Sequence, residues 1–128
     1  MLCKVNKITE YEVTRDVFFE SEKTHTVYKV FDDSDILGDD QFSFLEIGNK
    51  YDCKIGIFGE LDSLGLSFVV LDREKIGTMD TLKIKNKVGD IFYCMYEKDL
   101  VENSEIHLNV RRYDLLSVGD IVNDRNIN

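Results

Sequence analysis

Proline and alanine are absent from the 128 residues, and glutamine occurs once, at Gln41. Alanine is the best helix former, whereas Val, Ile, Tyr, Phe and Thr, abundant here, suit strands. The composition therefore leans to β before any pattern is read. No apolar run approaches the roughly 20 residues that a membrane-spanning helix needs. No Gly/Ser tract or break in composition marks a linker, so one domain over residues 1–128 is expected. Cysteine is scarce as well. Cys3, Cys53 and Cys94 are odd in number, widely separated and in no C-x-x-C pair, which fits reduced thiols better than a disulfide framework. Residues 1–7 lack the apolar core of a signal peptide. The expected location is the cytoplasm, without membrane association.

Positive charge is also in short supply: 16 Lys and Arg stand against 25 Asp and Glu, a formal net charge of -9. An acidic surface repels phosphate backbones, which disfavours nucleic acid as a partner while leaving room for a local basic patch. Solubility accounts for the charge, and an acidic face for a basic protein partner is the functional alternative. Hydrophobic content of 43% with 32% charged residues describes a globular chain.

What is present is strand periodicity, clearest over residues 51–60. Tyr51, Cys53, Ile55 and Ile57 alternate with Asp52, Lys54 and Gly56, which gives an extended chain one apolar and one mostly polar face. Gly56 and Gly59 mark a bulge, a bend or a close backbone approach. Residues 2–15 read as a bulged first strand with a break near Asn6-Lys7. Residues 17–20 and 25–31 flank the polar turn Ser21-Glu22-Lys23-Thr24 as a hairpin. Residues 32–40 are an acidic loop, 41–47 a strand, 61–65 a turn, and 66–71 a strand covered on both sides. Residues 72–81 have room for a short helix, and 98–105 for a helical turn or a loop. Residues 82–87, 91–97 and 106–113 complete the strands, and 123–128 should fray.

A local form recurs in Ile47-Gly48-Asn49, Val88-Gly89-Asp90 and Val118-Gly119-Asp120, each ahead of a strand. Glycine reaches positive φ without steric cost, and Asn or Asp bonds its own backbone, so the element is a tight corner. The expected fold is all-β: a small curled, OB-like β-barrel or a compact sandwich with at most one or two short helices.

No catalytic signature is present: there is no G-x-G-x-x-G, no phosphate-binding Walker loop and no H-E-x-x-H. Cys53 and Cys94 read as small core residues, and His107 as a surface histidine. The acidic loop fails the calcium-loop pattern, because Leu37 and Phe44 fall where ligands are required; no metal and no cofactor are expected. Three readings remain. The favoured one is a non-enzymatic interaction module for a protein partner, with Asp32, Asp33, Asp35, Asp39 and Asp40 and the exposed aromatics Phe42 and Phe58 as contact points. The second is an OB-like binder of single-stranded nucleic acid or another anionic ligand, using Lys83, Lys85, Lys87, Arg111 and Arg112 with Tyr93 and Tyr96 as stacking surfaces. The third is a small enzyme without a recognisable motif. A monomer and a homodimer fit the sequence equally well.

Overall fold

The computed structural model describes residues 1–34, 41–97 and 100–123. Eight strands make one sheet: β1 (Leu2–Glu10), β2 (Arg15–Ser21), β3 (Val27–Asp32), β4 (Lys50–Ile76), β5 (Met79–Asn86), β6 (Ile91–Met95), β7 (Glu105–Val118) and β8 (Ile121–Val122). Their order is β5-β6-β4-β1-β2-β3-β7-β8, and β4 pairs in addition with β5 and β7. The chain is all-β, and these extra pairings bring the sheet round into a partial ring.

The bulge expected in β1 falls between Val5 and Lys7. It resets the alternation, so that Cys3 and Val5 point inward before it and Ile8 packs on the core after it. The expected hairpin is β2–β3, with Phe19 opposite Tyr28 and Val17 opposite Val30. All three recurring corners hold their glycine at positive φ: Gly48 at 91°, Gly89 at 99° and Gly119 at 57°. They lead into β4, β6 and β8.

The alternating stretch 51–60 opens β4, whose 27 residues continue well past it. Cys53, Ile55 and Ile57 are buried, as the alternation requires. Three register shifts against β7 keep so long a strand in contact with a curled neighbour, and at the widest both Leu61 and Leu66 oppose Leu108. At the middle shift a Cβ on Gly59 would stand 2.1 Å from the Asn109 carbonyl oxygen, so only glycine admits this approach.

Four expectations are corrected. Residues 41–47 are turns rather than a strand, because Phe42 and Leu45, three apart, are both buried; Arg15 Nη2 donates to the Phe42 carbonyl and holds the turn. Residues 61–65 are a wide bulge inside β4 and do not end it. Residues 72–81 hold the β4–β5 hairpin instead of a helix, with Ile76 opposite Met79. In residues 66–71, Phe68 and Val70 are buried on one face while Val69 and Leu71 on the other are only half-buried, so the second face is partly rather than fully covered.

The core is a single large cluster drawn from β1 to β7, including Val5, Phe19, Val30, Ile55, Phe68, Ile84 and Phe92. Beside it lies a buried carboxylate. Asp90, at the corner into β6, accepts hydrogen bonds from Ser21 Oγ (2.6 Å), Thr24 Oγ1 (2.7 Å) and Tyr28 OH (2.5 Å). Asn86 Oδ1 accepts from the Asp90 amide at 2.9 Å, and Asn86 Nδ2 donates to Tyr28 OH at 3.1 Å. The β2–β3 turn is thereby tied to the β5–β6 corner. Asp90→Ala removes the acceptor that the buried Ser21 and Tyr28 hydroxyls donate to and should lower the unfolding free energy by about 3 kcal/mol. Urea denaturation checks this against Lys85→Ala, an exposed change expected to stay within about 0.5 kcal/mol.

Candidate functional site

β6 lies beside β4 in parallel but meets it at one residue pair, Gly56 with Tyr93. Beyond that pair the two strands diverge and a groove opens between them. At one end is a cavity of about 210 Å³ with Asp33, Ile57, Phe58, Met79, Met95 and Asp114 in its lining. A neighbouring cavity of about 130 Å³ shares Ile57, Phe58, Cys94 and Met95 and continues to Leu61 and Leu100. Phe58 (55% exposed) and Met95 (63% exposed) stand where the two meet. The floor is apolar, and one end is acidic.

The acidic end is built by three segments. Asp33 follows β3 and accepts from Asn123 Nδ2 at 2.7 Å. Asp114 lies on β7, where burial raises its pKa above the ordinary aspartate range; the Arg112 guanidinium opposes that shift and Asp33 adds to it. Arg112 reaches Asp114 Oδ1 from Nε at 2.6 Å. Its guanidinium carbon lies 4.6 Å from the Phe31 ring centre and 5.1 Å from that of Phe58, so cation–π contacts fix the side chain between two rings.

Of the residues singled out from the sequence, Asp33 and Phe58 come together in this groove. Asp32 does not: it is buried, paired with Arg15 Nε at 2.8 Å, and caps the Ser34 amide at 3.0 Å. Its role is to close the end of the β2–β3 hairpin. Phe42, expected as an exposed aromatic, is 0% exposed and belongs to the core. Asp35, Asp39 and Asp40 lie outside the described residues.

Lys83, Lys85 and Lys87 follow the expected alternation, opposite in direction to the buried Leu82 and Ile84. The stacking role expected of Tyr93 is corrected: at 4% exposure its ring is enclosed. Tyr96 is half-buried, with the Arg73 guanidinium 4.2 Å from its ring centre. Lys83 pairs with Tyr93 on β6, Tyr93 with Gly56 on β4, and β4 in turn with β7, so two strands separate the lysine-bearing β5 from the arginines there. Arg111 and Arg112 line a different groove of about 610 Å³ where β3 and β7 splay, together with Lys29, Phe31 and Tyr113. Tyr113 also lines the cavity that holds Lys87 and His107. Arg111 forks onto Glu60 at 2.8 and 2.9 Å, and this bonding holds the Glu60 carboxyl down at about 2.

Met95, Asp114 and Lys29 were missed from the sequence. Asp114 carried a faint signal as an acid among apolar residues just after Arg112, but pairing between strands far apart in the chain is what brings it to Asp33.

For thiol chemistry, Cys94 is the cysteine that lines the groove. Burial, with a smaller contribution from Glu97, pushes its pKa up to about 11, and burial does the same for Cys3. Cys53 is shifted upward as well. A protonated thiol is a poor nucleophile. Among the described residues, no group of three or more His, Cys, Asp and Glu side chains is placed to hold a metal ion. No helix of the described residues is long and apolar enough to cross a membrane. No protein-family model, curated protein or solved structure matches this chain.

Iodoacetamide at pH 7.5 should therefore label Cys94 slowly in the folded protein, with labelling accelerated by urea. Rapid labelling of native Cys94, followed by peptide mass mapping, would reinstate a thiol enzyme.

Proposed function

We propose that this chain is a non-enzymatic protein-interaction module, and that the groove between β4 and β6 receives a partner segment carrying a cationic group and an apolar side chain. One observation carries the reading: Asp33 and Phe58, 25 positions apart and brought together by the sheet, line one open groove with Asp114 and Met95. Asp33 and Asp114, with Arg112 balancing one of the two charges, leave one end of the apolar trough acidic, which suits a Lys or Arg head, and the net charge of -9 favours encounter with a basic protein. The pairing order β1-β2-β3-β7-β4, with β4 returning to β1, supports an OB-like barrel as the scaffold. Three unpaired cysteines fit a cytoplasmic location.

A photo-crosslinking residue at position 58 or 95 should capture the same partner protein in cells, while one at the exposed Lys75 should not. Phe58→Ser and the pair Asp33→Asn with Asp114→Asn should each weaken binding of that partner by about tenfold, about 1.4 kcal/mol. Binding should also fall as the pH is lowered. Because the Asp114 pKa is raised in the folded protein, its charge is lost at a higher pH than an ordinary aspartate would lose it. The same crosslinks from all three positions, or unchanged affinity of the variants, would remove the groove from the account.

A second reading rests on the groove between β3 and β7. Lys29, Arg111 and Arg112 beside Phe31 and Tyr113 offer cations and rings to single-stranded nucleic acid or another anionic ligand. Glu60 and Asp114 already occupy the two guanidinium groups, which is why this reading is second. It requires binding of fluorescently labelled single-stranded DNA or RNA that is measurable at about 50 mM salt and falls steeply as salt is added. Absence of such binding ends it.

A further inference from the structure

We infer that the groove takes its partner as an added β-strand. The inference rests on the proposed interaction function and specifies its mode. On the side of β4 turned toward β6, the strand partners are β1 at residues 50–52, Tyr93 at Gly56 and then, from Phe68 onward, β5. Residues 57–67 have no strand on that side among the described residues; their ladder runs to β7 on the other. β6 mirrors this, since all five of its residues bond β5 on one side and only Tyr93 meets β4 on the other. Two strand edges thus face each other across one groove, and among the described residues no ladder joins them beyond the Gly56–Tyr93 pair. Exposed edges are templates for another strand, and native proteins usually cover or blunt them with charge, proline or a very short strand. Here the edge of β4 carries Phe58 and Leu61, both exposed, and the groove wall on β6 carries exposed Met95.

The groove also specifies the occupant. Residues 57–61 offer about 16 Å of extended backbone at the usual rise, room for a segment of about five residues. Its side chains on one face lie beside the exposed Phe58 and those on the other beside the buried Ile57, with Leu61 further along. At the Gly56 end the lining adds Asp33 and Asp114, and this end accepts a lysine or arginine. Toward Leu61 the lining becomes Leu100 and Leu108, and this end accepts an apolar side chain. The predicted ligand is an extended, basic-apolar peptide segment whose cation lies nearest Gly56. Charge complementarity with the acidic end selects it over a second copy of this chain, whose net charge is -9.

The test uses a displayed library of random ten-residue peptides selected on the full chain, followed by backbone N-methylation of one enriched peptide at each position in turn. Strand addition along β4, the longer of the two edges, predicts that every second N-methyl group weakens binding about tenfold, the loss of a backbone hydrogen bond, while the intervening ones, turned toward the short free edge of β6, change it less. Enriched peptides should carry Lys or Arg, and Asp33→Asn with Asp114→Asn should abolish that preference. Met95→Ser, a change at an exposed position, should weaken binding without altering the unfolding transition. Peptides whose sensitivity follows a three-to-four residue spacing, or that tolerate N-methylation throughout, overturn strand addition while leaving the crosslinks from position 58 to support the interaction reading. A library that yields no groove-dependent peptide, or sedimentation showing a dimer dissolved by Phe58→Ser, overturns it as well.

Discussion

A buried carboxylate gripped by three hydroxyl donors ties the corners of this protein together. Asp90 is almost wholly enclosed, and Ser21, Thr24 and Tyr28 each give it a hydrogen bond. Inside a protein such bonds are strong for the same reason that losing one is costly: little else is there to solvate the charge. These donors come from the β2–β3 turn, and Asp90 opens β6, so the network joins two regions that share no strand pairing. The aromatic cluster beneath it follows the same line, with the Tyr28 ring 4.9 Å from Phe92 and 5.4 Å from Tyr113. The position of β6, and with it one wall of the groove, depends on this corner.

The groove is a consequence of curvature. A sheet that bends sharply enough to bring β4 against both β1 and β7 has no room to keep β6 in register along its length. β6 therefore touches β4 once and departs. The departure exposes Phe58 and Met95, while β7 supplies Asp114 from below. Arg112, held between Phe31 and Phe58, fixes the Asp114 carboxylate through an ion pair. Shape, apolar floor and charge at one end arise from three separate strands.

Much of the architecture was legible in local pattern. Alternation announced the inward face of β4 through Cys53, Ile55 and Ile57, and the bulge in β1 showed as a break after Val5. The glycine corners were readable because positive φ leaves a compositional trace. Phe42 was misread because a phenylalanine beside Gln41 and Ser43 resembles an alternating strand; only the burial of Leu45 three residues later reveals a turn. The hairpin over residues 72–81 was hidden by charges that suit an exposed strand as well as a helix. The site was half legible. Phe58 and Asp33 were noticed for their own chemistry, but their meeting, and the arrival of Asp114, depend on pairings between distant segments that local periodicity does not encode.

The single long strand has a kinetic corollary. β2–β3 and β4–β5 are hairpins between neighbours in sequence, which close quickly and at small entropic cost. The β4–β7 ladder instead joins residues some fifty positions apart, as in Glu60 opposite Asn109. Such non-local pairing comes late and slows a chain's folding. Until β7 docks, the stretch of β4 ahead of the β4–β5 hairpin stands as a bare ribbon with its apolar face turned to water. The element that organises the native state is thus also the one through which nascent copies of this chain would first find each other.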